Sequence, residues 1–334
     1  MYKIIFLNSM VLGTLISVSS YSWMSMWMGL EINLLSIIPL FSNSKNIFAS
    51  ESSLKYFITQ ALASLILLMS ITMLLLTDEF IHPLMNLNLK MMLNSALLTK
   101  LGAAPFHFWF PEVMEGLSWM NALILLTWQK IAPILLLMNN KINTNFLMMI
   151  IILSLTISAI SSMNQISMRK ILALSSINHI GWMLSSLMTS ISLWLIYFLI
   201  YSLINLNIIL IFNKTKTFYL NQLNNITSMN KLTKFIVMLN FLSLGGLPPF
   251  IGFMPKWFVI NTLSSEKTLL LTLTMIMSTL IMLFIYTRIM ISSSTLTTNE
   301  PKIKTSVKTP LIINLINSIT LISLPLCSLM FNFL

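Results

Sequence analysis

Charge is scarce in this chain of 334 residues: only 8% of positions are Asp, Glu, Lys or Arg, and eight acids face nineteen Lys and Arg. That excludes an ordinary soluble domain, in which about a quarter of the residues are charged. The single cysteine, Cys327, excludes an internal disulfide and leaves no thiolate set for zinc or an iron–sulfur cluster. There is no GxGxxG turn, no Walker loop and no pair of histidines spaced to hold haem, so no redox centre of its own is expected. Glycine is rare, at eight residues, and proline numbers eleven. Any place where the two cluster is therefore informative.

What fills the chain is apolar: 57% hydrophobic residues and a mean hydropathy of +0.88. Eleven apolar stretches of membrane-crossing length follow one another, over 4–20, 22–41, 56–77, 91–118, 120–139, 146–163, 170–189, 193–212, 235–262, 268–290 and 310–331. The fourth and ninth are over-long and contain prolines. No stretch alternates polar and apolar as a barrel strand would, and backbone in hydrocarbon must satisfy its own hydrogen bonds, so the spans are expected to be helices of one all-α polytopic membrane domain. No small-residue cleavage site follows the first span before Trp23, which argues against a removed signal peptide. The 27 methionines, beside abundant Ile, Asn and Ser, suggest the codon bias of an AT-rich organellar genome; gap-filling by a flexible side chain is the alternative.

The net charge of +11 is distributed by side. If the N-terminus and alternate loops share a face, that face carries Lys3, Lys45, Lys55, Arg169, Lys170, Lys214, Lys216, Lys231, Lys234, Arg288, Lys302, Lys304 and Lys308. The opposite face has Lys90, Lys141 and Lys267. This bias places the N-terminus on the electrically negative side and makes the charge topological, with no nucleic-acid partner implied.

Three cations remain, Lys100, Lys130 and Lys256, and they lie inside spans together with one acid, Glu31. A charge at bilayer depth costs about 2.5 to 3.5 kcal/mol on insertion scales, so such residues mark ion or proton routes. The blander readings are that Lys256 snorkels to an interface and that Glu31 and a lysine form a neutral structural pair. His107 and His179 also fall within spans and divide evenly between packing residue and relay; His82 reads as a loop residue.

The segment "GAAPFHFWFP" at 102–111 and the segment "GLPPFIGFMP" at 246–255 both fit GxxPFxxxxP, 144 residues apart. They fall in spans four and nine. An odd separation in span number makes the copies cross in opposite senses, as in an inverted repeat of two five-helix halves, 1–140 and 141–290, followed by a loop and C-terminal helix over 291–334. Pro105, Pro248 and Pro249 should interrupt their helices and free backbone groups that need polar surroundings. Lys100 precedes the first break and Lys256 follows the second, each where a broken helix admits water.

The segments "WMGLEINLLSIIP", "KLGAAPFHFWFPEV", "TWQKIAP", "SSINHIGWM" and "LGGLPPFIGFMPKW" strongly resemble the chain 2 family of mitochondrial NADH:ubiquinone oxidoreductase, antiporter-like membrane subunits of respiratory complex I, in an insect-like form. The resemblance covers about two thirds of the chain, through Trp257. It implies a proton-translocating module in which Glu31 and Lys100 interact, Lys130 is the central relay, Lys256 is the distal lysine and His179 joins the polar axis. It also implies a mitochondrial inner-membrane location with the N-terminus in the matrix and the C-terminus in the intermembrane space. Partners would be membrane subunits on both flanks, including a small subunit facing Glu31 and a second antiporter-like subunit, with accessory subunits and lipids such as cardiolipin. NADH, FMN, iron–sulfur clusters and ubiquinone would be used elsewhere in the complex. Bacterial relatives carry three further N-terminal spans, so a partner is expected to cover spans one and two.

Electrostatics sets the scale of such a device. Two cations about 8 Å apart at an effective dielectric near 20 repel by roughly 2 kcal/mol, whereas a proton moved against about 150 mV needs about 3.5 kcal/mol. One pair is insufficient; several coupled charges and an outside drive are required. A cation/proton antiporter subunit would use the same lysines and repeat, and a purely structural subunit or a quinone-site protein are the remaining readings.

Overall fold

The computed structural model describes residues 2–43, 46–77, 83–140, 143–222 and 231–295. The span expected at 310–331, Cys327, His82, and the loop cations Lys45, Lys141, Lys302, Lys304 and Lys308 lie outside the described residues. Among the described residues all regular structure is helical, apart from an isolated bridge between Ser167 and Tyr219. Eight helical segments are long and apolar enough to cross a membrane, and the protein is a polytopic membrane protein.

The chain divides into two compact units at Ile150 and Ile151. The first contains α1 (Tyr2–Ser19), α2 (Trp23–Phe41), α3 (Ile47–Thr77), α4 (Pro83–Leu101), α5 (Trp109–Gly116), α6 (Trp119–Leu126) and α7 (Trp128–Asn139). Helix α8 (Thr144–Ser162) carries the chain into the second unit, which contains α9 (Met168–Thr189), α10 (Ile191–Thr215), a 3-10 turn at Leu220–Gln222, α11 (Lys231–Gly245), α12 (Phe253–Ser265) and α13 (Leu269–Thr295).

The polarity is inside out relative to a soluble bundle. Leu54, Ile58, Leu62, Leu65 and Met69 line the exterior of α3, while its Ser53, Gln60, Ser64 and Ser70 are buried. Serine hydroxyls are satisfied within their own helices: Ser70 donates to the Leu67 carbonyl at 2.7 Å, Ser154 to Ile151 at 2.9 Å and Ser175 to Leu172 at 2.8 Å. A serine-rich helix thereby enters hydrocarbon without orphaned hydroxyls. Helix α9, built from "SSINHIGWMLSS", is buried from Ile171 through Ser186 and packs against α10, α12 and α13. It is the polar spine of the second unit.

Three interruptions shape the helices. Helix α4 ends at Leu101, and the chain is non-helical through 102–108, which contains Pro105, before α5 begins. Helix α11 ends at Gly245, and 246–252, with Pro248 and Pro249, separates it from α12. Spans four and nine are thus each a pair of shorter helices. The third interruption, at Thr127 (φ −114°, ψ −69°), splits the stretch expected as one span over 120–139. Proline alone does not decide: Pro39 and Pro133 lie inside helices α2 and α7. Helix α3 also starts at Ile47, nine residues before the apolar stretch that marks it, so that Lys55 lies within a helix and bonds to Glu51 at 3.1 Å and Glu112 at 3.0 Å.

Helices α1 and α2 meet backbone to backbone. A Cβ on Gly29 would lie 2.6 Å from the Ser17 nitrogen, and one on Gly13 2.8 Å from the Asn33 nitrogen, the small-residue seam that lets membrane helices approach. Gly29→Val is expected to force this seam apart, costing about 1–3 kcal/mol. Thermal unfolding of the detergent-solubilised protein should show the loss, whereas Leu12→Val, on the exposed face of α1, should leave the midpoint unchanged.

Candidate functional site

The two long breaks share one local design. Gly102 (φ 76°) and Gly246 (φ 77°) adopt the left-handed conformation that L side chains resist. The Ala103 amide reaches back to the Leu98 carbonyl at 3.1 Å and the Gly102 amide to Thr99 at 3.2 Å; in the second break Leu247 reaches Leu242 at 3.4 Å and Gly246 reaches Ser243 at 3.1 Å. This is the Schellman ending, which satisfies two of the last carbonyls of each helix and leaves the final two without a backbone partner.

In the second unit those remaining two are supplied by a lysine. Lys256 Nζ donates to the Leu244 carbonyl at 3.1 Å and the Gly245 carbonyl at 3.0 Å. Its side chain, 7% exposed, turns inward across the face of Gly246, where a Cβ would stand 2.9 Å from Lys256 Cδ. A cation at a helix C-terminus is favourably placed, and Nζ also lies 5.8 Å from the Trp182 ring. In the first unit the post-break donor is an indole: Trp109 Nε1 donates to the Thr99 carbonyl at 3.1 Å. The residue 144 positions before Lys256 is Glu112, which lies at the exterior with Lys55.

Lys100 sits in the last turn of α4 and is buried. Glu31, midway along α2, forms no direct ion pair with it among the described residues. Glu31 Oε1 is buried and accepts no hydrogen bond from the described residues. Lys130, 1% exposed, follows the Thr127 interruption and places Nζ 5.9 Å from the ring of Phe110, which belongs to the second half of the broken helix. The first unit thus gathers Glu31, Lys100 and Lys130. His107 lies within the break, with Nδ1 3.3 Å from the Pro105 carbonyl.

Sequence reading missed the groups around these cations. Tyr56 donates to Gln129 Oε1 at 3.3 Å, and Gln129 Nε2 donates to Asn33 Oδ1 at 2.9 Å, tying α3, α7 and α2 together beside Lys130. In the second unit His179 Nδ1 is 2.8 Å from the Tyr197 hydroxyl, and the Nδ2 groups of Asn207 and Asn240 are buried with no hydrogen-bond partner among the described residues. Only tertiary structure brings these together; glutamine beside Lys130 and asparagine two residues after Glu31 were the available signals. The arrangement can hold and pass protons. Among the described residues no group of three His, Cys, Asp or Glu is placed to bind a metal.

Buried cations at helix breaks in a polytopic bundle define an antiporter-like membrane subunit, and the comparisons agree with that class. The family described as NADH:quinone oxidoreductase/Mrp antiporter, transmembrane, matches residues 20–282. The chain is 54% identical to NADH-ubiquinone oxidoreductase chain 2 of Anopheles gambiae, over 85% of this chain and 84% of the relative. Against the same chain of Loxodonta africana the identity is 40%, over 86% and 84%. The chain belongs to the NADH-ubiquinone oxidoreductase chain 2 family. Its fold is similar to a chain of respiratory complex I from Thermus thermophilus, with a TM-score of 0.87 at 20% identity over 98% of this chain and 78% of that one. It is also similar to a chain of the Mrp complex from Dietzia sp. DQ12-45-1b, with a TM-score of 0.77 at 14% identity over 86% and 59%.

The two breaks should respond differently to loss of their donors. Lys256→Met strands the Leu244 and Gly245 carbonyls, a cost of about 1–3 kcal/mol, so amide exchange at Gly246 and Leu247 should quicken roughly five- to a hundredfold while Gly102 and Ala103 keep their protection. Trp109→Phe should act on the first break alone. Hydrogen–deuterium exchange with mass spectrometry on the purified protein reads both.

Proposed function

We propose that this chain is a proton-translocating membrane subunit of mitochondrial respiratory complex I, part of NADH:ubiquinone reductase, driven by redox chemistry in other subunits. The observation that carries the reading is the burial of Lys100, Lys130 and Lys256 inside apolar helices, two of them at helix breaks. Membrane proteins retain such groups at cost where ions or protons move. In this reading Glu31 holds Lys100 until a change in a partner subunit separates them, and Lys100, Lys130, His179 and Lys256 take part in proton transfer.

The shared Schellman turns at Gly102 and Gly246 support an ancestral duplication: an inverted repeat of five spans in 1–140 and five in 141–290, with an eleventh span appended in 291–334. The cation bias of the loops supports an N-terminus in the matrix and a C-terminus in the intermembrane space of the inner mitochondrial membrane. NADH, FMN, iron–sulfur clusters and ubiquinone belong to other subunits, and this chain binds no cofactor. Membrane subunits on both flanks are the partners, a small one facing Glu31 and a second antiporter-like one, with accessory subunits and lipids such as cardiolipin around them.

Because one pairwise charge repulsion falls short of the work against a membrane potential, the lysines act as a coupled set. Lys130→Met and Lys256→Met, each in the complex reconstituted into liposomes, are expected to lower the ratio of protons moved to NADH oxidised. A ratio equal to wild type in both would remove these residues from the route.

The likeness to the Mrp complex chain favours a second reading, a cation/proton antiporter subunit. Under the complex I reading, the purified chain alone in liposomes should exchange neither Na⁺ nor K⁺ for protons. Exchange by the isolated chain would favour the antiporter.

A further inference from the structure

A group that takes and returns a proton in a dry interior needs a neighbour that suits both of its charge states. Neutral imidazole offers one donor and one acceptor, and imidazolium offers two donors. A tryptophan or lysine partner serves only the neutral ring's acceptor, and an ionised carboxylate serves only a ring N–H. A phenol serves both, because its oxygen donates or accepts according to the rotation of one hydrogen.

His179, on α9, has such a neighbour in Tyr197, on α10. Nδ1 and the hydroxyl oxygen are 2.8 Å apart, and the residues are 6% and 2% exposed. The phenol is fixed in turn: its ring lies parallel to the Trp182 indole, 10° between planes and 6.5 Å between centroids. Trp182 is one helical turn after His179 on α9, and the same indole faces Lys256 Nζ at 5.8 Å. The hydroxyl therefore meets His179 beside the aromatic wall against which Lys256 lies. Tyr201 also approaches the imidazole, with ring centroids 5.0 Å apart, but the hydroxyl within hydrogen-bond distance of Nδ1 is that of Tyr197.

We propose that Tyr197 is the positioning residue that keeps His179 oriented in both protonation states. With neutral His179 carrying its proton on Nε2, the Tyr197 hydroxyl donates to Nδ1. When a proton passed on from the buried lysines arrives, the hydroxyl first turns off Nδ1, the proton binds there, and the phenol oxygen then accepts from Nδ1–H; the rotation reverses when the proton moves on. The phenol neither gains nor loses a proton, and no heavy atom needs to move. The proposal rests on the reading that His179 takes part in proton transfer.

Tyr197→Phe removes the hydroxyl and keeps the ring on Trp182. In the complex reconstituted into liposomes, it is expected to lower the proton-to-NADH ratio by the same fraction as His179→Leu, and the double variant no further. Tyr201→Phe, an equally conservative loss of a buried hydroxyl, should leave the ratio at wild type. If His179→Leu lowers the ratio and Tyr197→Phe does not, the pairing is wrong while the role of His179 stands; additive losses, or an equal loss in Tyr201→Phe, also overturn it. A wild-type ratio in His179→Leu removes both the relay role and the pairing. Should Tyr197→Phe fail to assemble, infrared difference spectra of the unaltered complex with ring-labelled tyrosine decide: on NADH addition, phenol and imidazole bands should shift together, and a histidine change with a silent phenol rejects the proposal.

Discussion

A backbone carbonyl stranded inside a membrane has no water to turn to, and that constraint organises this molecule. Every helix that stops short of an aqueous phase must find donors for its last carbonyls within the protein. At Gly102 and Gly246 the chain folds back on itself to satisfy part of the need. In the second break the ammonium group of Lys256 supplies the rest. The cation and the broken helix therefore explain each other: the carbonyls make a buried lysine tolerable, and the lysine makes the early helix end tolerable.

The same economy runs through the interior. Hydroxyls of buried serines such as Ser70, Ser154 and Ser175 fold onto their own helices, and larger polar side chains are left to reach between helices. In the first unit they include Tyr56, Gln129 and Asn33, around the helices that carry Glu31 and Lys130, and the buried pair Asn140 and Asn94. In the second they include His179 and Tyr197, on the spine helix and its neighbour. Interhelical polar bonds in membranes contribute on the order of 1 kcal/mol each, too little to explain a bundle whose core is otherwise close-packed side chains. Their value lies in fixing the rotation of particular helices about the buried charges.

Much of this was legible from residue types alone. The pairing of a glycine with a proline three residues on located both long breaks, because a left-handed residue and a missing donor together end a helix. The charges stood out because almost nothing around them is charged. What could not be read follows from the same physics. The interruption at Thr127 has neither glycine nor proline at it, only residues that a continuous helix accepts; the hydroxyl of Thr127 donates back to the Leu123 carbonyl at 2.8 Å, a bond that bends helices. Pro39 and Pro133 mislead in the other direction, since their helices run on through them. Glu31 and Lys100, expected to interact, form no direct ion pair among the described residues. His179 and Tyr197 are 18 residues apart on successive helices, a separation that no local pattern marks.

The seam between α1 and α2 has an evolutionary side. Most of α1 turns outward, with Ile4, Ile5, Leu12 and Leu15 exposed, so those positions can drift among aliphatic residues at little cost. Gly13 and Gly29 cannot, since each presses on the other helix's main chain. A lineage under relentless mutation would thus vary along the rim of α1 and stay silent at two points, and the first helix would be inherited by its absences of side chain more than by its hydrophobic letters.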